Sequence, residues 1–588
     1  MAEQRGPVFQ RVLIANRGEI AIRVMRTCRE LGIETVAVYS DLDQNAQHVR
    51  YADMAFALGG KTVAESYLQS DRILEIIQES ESDAVHPGYG FFSENADFAR
   101  RVTDIGVAWI GPPPEAIEIM GDKISSRKAA VVAEVASVPG TLDPIKDVSE
   151  IVSFGQEFGW PVAIKAAYGG GGKGLKICEN ADEAQEAFES AAREAQAYFG
   201  RSEAYLERYL TNPRHIEVQV FADKHGNAVW LGDRDCSTQR RHQKLIEEAP
   251  AANLPDSVRT AMGEAATKIA LSCGYVNAGT VEMLYEDGEF WFLEMNTRLQ
   301  VEHCVTEETT GLDLVAEQLR VAAGEPLSFT QDQVVCNGHA IECRINAEDP
   351  STGFLPSPGT ITEMTIPAGP GVRWDSGYEE GDTISAYYDN LIGKLIVWAP
   401  DRPAAISRMR RALAELKIVG VKTTAPAQEL LLSLPAFAEA RHTTKWLEKD
   451  LAEDAFSAIS STPDSISDSS INFAERLIPI EIDKKRFSVK VWMPVDVSPT
   501  GKANPRPRPA RSAGSSSSNG TISSPMQGTI VKILVSVGDK VEIGQALLVL
   551  EAMKMENQIN SESAGVIKEL RVEAGTTVGA GDVLVVIE

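Results

Sequence analysis

At 588 residues the chain exceeds what one hydrophobic core can organise, so several domains are expected. Its composition, 43% hydrophobic and 24% charged, is that of a globular protein, and no apolar run is long enough to span a bilayer. A formal net charge of −27 repels nucleic-acid backbones and anionic membranes, so an anionic substrate must be caught by a local basic site. Cys28, Cys178, Cys236, Cys273, Cys304, Cys336 and Cys343 form no C-x-x-C pair. That argues against a zinc site or a disulfide framework and fits a reducing cytoplasm. Met1–Gln10 is polar and runs straight into a strand, so no secretory signal is expected.

Residues 1–120 open with the strand Arg11-Val-Leu-Ile-Ala15, a helix over about Glu19–Leu31, and the strand Thr35-Val-Ala-Val-Tyr39. That is one half-turn of a doubly wound parallel sheet. The loop Asn16-Arg-Gly-Glu19 lacks G-x-G-x-x-G, and Asp41 alone does not make a dinucleotide site. Residues 121–330 mix strands and helices and carry most of the motifs, while 331–450 read as α+β, with strands around Ala340–Arg344 and Leu391–Val397. A Ser/Asp-rich stretch over 457–470 and a small hairpin over Ile478–Val491 fill residues 451–497. Residues 498–523 are rich in Pro, Ala, Ser and Arg and cannot bury enough surface to order themselves, so they read as a linker.

Residues 524–588 hold an internal repeat. Gly528-Thr-Ile-Val-Lys-Ile-Leu-Val-Ser-Val-Gly538 aligns without gaps on Gly565-Val-Ile-Lys-Glu-Leu-Arg-Val-Glu-Ala-Gly575, and the register continues through Val541/Val578, Leu547/Leu584 and Glu551/Glu588. Two β-rich halves related this way predict a small all-β sandwich with pseudo-twofold symmetry. Glu551-Ala-Met-Lys-Met-Glu556 would be its tight hairpin tip, presenting Lys554 to solvent. Most lysines on turns are merely solvated, but Met553 and Met555 on both sides are unusual for an exposed tip. Ala552-Met-Lys-Met555 resembles the biotinyl-acceptor motif of biotin carrier domains; lipoyl domains share the architecture but usually lack the paired methionines. The resemblance implies biotin in amide linkage to Lys554, attached by a biotin protein ligase.

Gly169-Gly-Gly-Gly-Lys-Gly174 fails as a Walker A loop, because Gly174 stands where Ser or Thr must bind the metal. It follows the strand Pro161-Val-Ala-Ile-Lys165, and a glycine loop there can close backbone N–H groups over phosphates. The stretch resembles the phosphate lid of the ATP-grasp fold. That implies phosphate contacts from Gly170, Gly171, Gly172, Lys165 and Lys123, an adenine pocket lined by Glu207 to Leu210, and His215 near the ribose or base. In Phe290-Trp-Phe-Leu-Glu-Met-Asn-Thr-Arg298, Glu294 and Asn296 share one face of a strand, and their oxygens suit Mg²⁺ or Mn²⁺. The preceding strand offers Glu282. A two-residue Asp287-Gly288 turn would pair 282 with 293 and separate the carboxylates, so an odd-length loop centred on Gly288, pairing 282 with 294, is expected.

Arg234-Asp-Cys-Ser-Thr-Gln-Arg-Arg-His-Gln-Lys244 is a dense basic-polar run in an acidic protein. With Thr297-Arg-Leu-Gln-Val-Glu-His303, Arg11–Ile20, His86-Pro-Gly-Tyr-Gly-Phe91 and Gly353–Gly359, it resembles biotin carboxylase of the ATP-grasp superfamily, over about 1–450 and again over 524–588. The resemblance implies that bicarbonate attacks the γ-phosphorus of ATP, that the carboxyphosphate decomposes, and that biotin is then carboxylated. Lys244, Arg298, Gln300 and the backbone of Val301 would hold bicarbonate, and Glu302 would be its general base. Arg344 would stabilise the enolate of biotin, Gln239 and His242 would complete the nucleotide surroundings, and Tyr89 would lie near the biotin pocket. Cys304 stands where the family usually has proline. The reading is the α chain of an acyl-CoA carboxylase of the acetyl-/propionyl-CoA type. It implies carboxybiotin handed to a separate carboxyltransferase β subunit, homo-oligomers within an αβ complex, and residues 451–497 as a partner-docking segment.

Overall fold

The computed structural model describes residues 8–141, 144–166, 175–199, 204–451, 455–456, 473–482, 485–494, 521–524, 528–552, 555–561, 563–579 and 582–588. Gly170, Gly171, Gly172, Lys554 and nearly all of the expected linker lie outside these residues.

The amino-terminal layer has five parallel strands, Arg11–Ile14, Glu34–Tyr39, Met54–Ala57, Ala84–His86 and Ala108–Trp109, ordered 3-2-1-4-5. The helix Gly18–Glu30 packs Ile20, Ala21, Val24, Met25 and Cys28 against them, at the spacing of a helix face turned to a core. Strand order reverses between the first and fourth strands. In open α/β sheets that reversal leaves a crevice beyond the carboxyl ends of the two strands. The loops Asn16–Arg17 and Pro87–Phe91 leave those ends.

An eight-stranded antiparallel sheet forms the centre of residues 121–450. Its strands run in the order Glu289–Asn296, Asn277–Glu286, Arg214–Ala222, Ala228–Arg240, Gln243–Ala249, His339–Asn346, Leu391–Ala399 and Val372–Ser376. The last three come from the α+β region, so one continuous ladder joins residues 121–330 to 331–450 through Gln243–Ala249 and His339–Asn346. Arg214–Ala222 is buried along its whole length. Ile216, Val218 and Val220 join Met262, Ala266 and Ile269 of the helix Asp256–Ser272 in one core. The alternate residues His215, Glu217 and Gln219 therefore point to the opposite face. A three-stranded sheet of Leu175–Cys178, Val162–Ala166 and Ala204–Arg208 carries Lys165 and Glu207.

Phe473–Ile482 and Lys485–Pro494 pair as the expected hairpin, ten residues a side. The last domain is two four-stranded sheets, one of Thr521–Ser523, Val583–Ile587, Gly565–Leu570 and Lys540–Val541, the other of Met555–Asn560, Ala546–Ala552, Gly528–Ile533 and Thr577–Val578. The shift that carries Gly528 onto Gly565 exchanges the two sheets, which is the predicted pseudo-twofold. One boundary is corrected: residues 521–523, assigned from their serines to the linker, form a strand against Val583–Ile587 because Ile522 is buried in the sandwich core. Ala552 pairs with Met555, so the described strands reach to either side of Lys554.

Candidate active site

The polar face of Arg214–Ala222 opens onto a dense set of buried charges. Arg234, with no exposed surface, donates to Glu217 Oε1 at 2.5 Å, Gln219 Oε1 at 2.8 Å, Thr306 Oγ1 at 3.0 Å, Thr280 Oγ1 at 3.1 Å and Gln300 Oε1 at 2.9 Å. Lys244 Nζ lies among three carboxylates: Glu217 Oε2 at 2.8 Å, Glu282 Oε1 at 3.3 Å and Glu302 Oε1 at 2.5 Å. The other oxygen of Glu302 takes a 2.8 Å bond from Arg344, whose Nε binds Glu247 Oε1 at 2.6 Å.

These distances decide the charge states. Burial disfavours an ionised Glu302, but Lys244, Arg344 and Arg234 outweigh it and hold the carboxyl well below its ordinary range. Glu247, behind Arg344, is pushed up to about 7 by burial, with Arg344 opposing. Burial also opposes charge on Glu282, yet Lys244 and His215 bring it below the ordinary carboxylate range. A buried carboxylate with two cationic partners stays charged; removing either partner leaves an uncompensated charge.

Glu282 pairs with Glu294, as expected, and Thr280 pairs with Asn296. The expected odd-length loop is absent. Glu286 pairs with Glu289 across a two-residue Asp287-Gly288 turn, and the register shifts between Met283–Phe292 and Glu282–Glu294. Leu293 is the extra residue, a bulge with an exposed side chain. The bulge moves Glu294 into register with Glu282, so the two carboxylates share a face. Asn296 Nδ2 donates to Glu282 Oε1 at 2.8 Å, leaving its amide oxygen toward Arg298 at 3.1 Å. Two carboxylates and an amide oxygen fit a hard divalent cation.

Gln300 is buried and donates to Glu282 Oε1 at 2.9 Å. Arg298 holds Glu94 Oε2 at 3.1 Å, and Glu94 also takes the Thr297 N–H at 3.1 Å. His215, expected near ribose or base, stands 3.1 Å from Glu282 Oε2. Lys165 and Arg127 both bind the Glu207 side chain. Leu210 is buried with Val138 and Trp291, and its carbonyl takes a 2.7 Å bond from Lys445. Lys123 begins the helix Lys123–Val132. Gln239 pairs with Lys244 in the strand ladder, and His242 sits exposed in the turn that closes it, at φ +67° beside Arg241 at +47°. Two positive-φ residues make the tight, strand-matched turn of a hairpin. Tyr89 donates its hydroxyl to Glu19 Oε1, and the Val301 carbonyl accepts from Lys394 at 2.8 Å.

Lys244, Glu282, Asn296, Arg298, Gln300, Glu302 and Arg344 thus form one connected network. Sequence reasoning missed Glu217, Arg234, Glu247 and Glu94. For Glu217 a signal existed: His215, Glu217 and Gln219 alternate with Ile216, Val218 and Val220, the pattern of a strand with one polar face turned inward.

Four family models match the chain: biotin carboxylase N-terminal domain over 8–117, carbamoyl-phosphate synthase L chain ATP-binding domain over 122–330, biotin carboxylase C-terminal domain over 342–449, and biotin-requiring enzyme over 520–587. The chain is 46% identical to the biotin-dependent acyl-coenzyme A carboxylase alpha3 subunit of Mycobacterium leprae, over 100% of both. It is 40% identical to the propionyl-CoA carboxylase alpha chain of Ruegeria pomeroyi, covering 99% of this chain and 100% of that one. Among solved structures, the biotin carboxylase domain dimer of Hydrogenobacter thermophilus 2-oxoglutarate carboxylase, in complex with MgADP, ADP and bicarbonate, matches at 47% identity and a TM-score of 0.67, over 75% of this chain and 97% of that one. Full-length identity at this level, together with the four matching family models, places the chain in the family of biotin-dependent acyl-coenzyme A carboxylase alpha subunits.

Proposed function

We propose that the chain uses ATP and bicarbonate to carboxylate biotin held on Lys554, and that the carboxyl group passes to a separate carboxyltransferase β subunit acting on acetyl- or propionyl-CoA. The observation that carries this reading is Glu302, buried, ionised and bridged between Lys244 at 2.5 Å and Arg344 at 2.8 Å. A carboxylate held between two cations can take a proton from a small anion while the cations hold what remains.

In this reading Lys244, Arg298, Gln300 and the Val301 backbone hold bicarbonate, the planar guanidinium of Arg298 suiting a planar anion. Glu302 takes the proton of bicarbonate, whose oxygen attacks the γ-phosphorus of ATP and displaces ADP; the carboxyphosphate then yields CO₂ and phosphate. Arg344 supplies fixed positive charge where negative charge develops on the acceptor. Lys123, Lys165, Gly170, Gly171 and Gly172 contact phosphates, while Glu207, Leu210, His215, Gln239 and His242 surround the nucleotide. Glu282, Glu294 and Asn296 would hold Mg²⁺ or Mn²⁺, which when bound neutralises phosphate charge. Biotin, attached by a biotin protein ligase, carries the carboxyl group, and Tyr89 lines its approach.

We assign residues 1–120, 121–330 and 331–450 to the carboxylase, 451–497 to partner docking, and the carrier from 521 onward. The α chain acts as a homo-oligomer within an αβ complex in the cytoplasm. No described helix is long and apolar enough to cross a membrane, and all seven cysteines are free thiols, six of them buried, which suits a reducing compartment. The test is bicarbonate-dependent ATP hydrolysis with free biotin, on the wild type and Arg298→Ala, alongside intact mass. Wild-type turnover that Arg298→Ala loses, with a biotin adduct on Lys554, is expected. No turnover would indicate a carrier or docking protein, and turnover without any adduct a different ATP-grasp ligase.

A further inference from the structure

We propose that Glu19 is a positioning residue that ties the acceptor side of the carboxylase site, at Tyr89, to its bicarbonate side, at Val301, through Lys394. The inference rests on the roles proposed above for Tyr89 and Val301.

Glu19 lies in the first turn of the helix Gly18–Glu30, at the crevice where strand order reverses, and is only 5% exposed. Its Oε1 accepts the Tyr89 hydroxyl and stands 3.4 Å from Lys394 Nζ. Lys394, with no exposed side-chain surface, donates onward to the Val301 carbonyl at 2.8 Å and to Cys304 Sγ at 3.2 Å. The loops are fixed around this chain of contacts. Asn16 Nδ2 donates to the carbonyls of Pro87 and Tyr89 at 2.7 and 2.8 Å. A Cβ at Gly88 would meet Asn16 Nδ2 at 2.9 Å, and one at Gly377 would meet the Gly18 and Glu19 backbone at 2.6 Å. Stretches from the amino-terminal sheet, the catalytic loop after Asn296 and the carboxyl-terminal strands therefore meet at one carboxylate.

A carboxylate present only to fill space would have both oxygens satisfied. Glu19 Oε2 is buried and has no hydrogen-bond partner, so the group relies on Oε1 alone. The charged and titratable groups around it are Lys394 from one strand, Arg373 and Asp375 from the next, Tyr89 from the loop and Arg23 one turn along its own helix. Burial, opposed by Lys394, raises the carboxyl to about 7. Below that pH Glu19 is neutral and its hold on Lys394 weakens; above it the ionised form draws Tyr89 and Lys394 together.

The test uses the full biotinylated chain, with free biotin and bicarbonate titrated separately in ATP hydrolysis. Glu19→Gln should lower kcat/KM for biotin and for bicarbonate by about tenfold each, the worth of one charge-assisted hydrogen bond, with KM for ATP unchanged. The loss of rate as pH falls through about 7 should disappear in this variant. Tyr89→Phe should reproduce the biotin effect without the bicarbonate effect, and the double variant should be no worse for biotin than either single one. The proposal is overturned if Glu19→Gln keeps the wild-type constants and pH profile. It is equally overturned if the variant melts lower and loses all three substrates alike, which is a purely structural role. Absence of bicarbonate-dependent turnover in the wild type would remove the functional reading and this inference together, whereas an active wild type with an indifferent Glu19→Gln removes the inference alone.

Discussion

The carrier sandwich and the carboxylase site are both buried, yet they tolerate loss differently. In the carrier, every buried core residue among those described has a mate in the other half: Ile522 and Ile559, Ile530 and Ile567, Val535 and Val572, Val541 and Val578, Leu547 and Leu584, Leu548 and Val585, Leu550 and Ile587. Stability there is apolar area spread over equivalent positions. In the carboxylase site no group has such a mate, and Lys244 is shared by Glu217, Glu282 and Glu302 at once. Removing an apolar side chain leaves a cavity, whereas removing a charge leaves its partners uncompensated in a dry place.

That contrast can be broken at four points. The largest effect is expected at the one carrier position that has no substitute: Lys554→Arg should abolish the biotin adduct in intact mass while free biotin is still carboxylated. A surviving adduct would move the acceptor elsewhere. Next, Glu302→Gln should cost between about 100-fold and 10,000-fold in bicarbonate-dependent ATP hydrolysis, the usual worth of a general base. A variant within a factor of about three of the wild type would remove Glu302 from that role. Third, Leu547→Ala and Leu584→Ala should each destabilise the carrier by about 2–5 kcal/mol, read by amide exchange in the full chain, and leave hydrolysis with free biotin intact. Costs differing by more than about 2 kcal/mol between these two mates would end the claim of equivalence.

The smallest effect concerns His86, buried beneath the crevice with its Nδ1 accepting the Gly88 N–H at 2.9 Å. Burial lowers it to about 4. A base whose folded pKa is depressed contributes stability that is complete above its unfolded pKa, about 6.5, and is lost as pH falls toward 4. The stability difference between wild type and His86→Gln should therefore narrow by about 1.4 kcal/mol per pH unit between 6.5 and 4, by denaturant unfolding. Parallel curves would show that His86 is already charged in the native state.

The same contrast explains what could be read from residues alone. The carrier was legible because a repeat writes most core positions twice; Ile522, hidden among serines, and its mate Ile559 fell outside the stretches that align. At the carboxylase site, residues inside recognisable runs, such as Lys244, Arg298 and Glu302, could be named. Their partners could not, because Glu247 reaches Arg344 and Glu94 reaches Arg298 only through strand order and a distant loop. Spacing within a strand is visible in sequence; which strand lies beside it is decided by the packing of the whole sheet.

Leu293 carries a different kind of information from its neighbours. Its side chain is exposed and takes no part in the core, but because its backbone bulges out of the ladder, Glu294 rather than Leu293 stands opposite Glu282. Flatten that bulge into a regular ladder and every acidic, basic and amide residue of the site would keep its identity, while Leu293 stood opposite Glu282 and Glu294 turned to the other side. The proposed cation-binding pair is thus specified by the register between two strands as much as by chemistry, and a variant can keep every functional letter and still have lost the site.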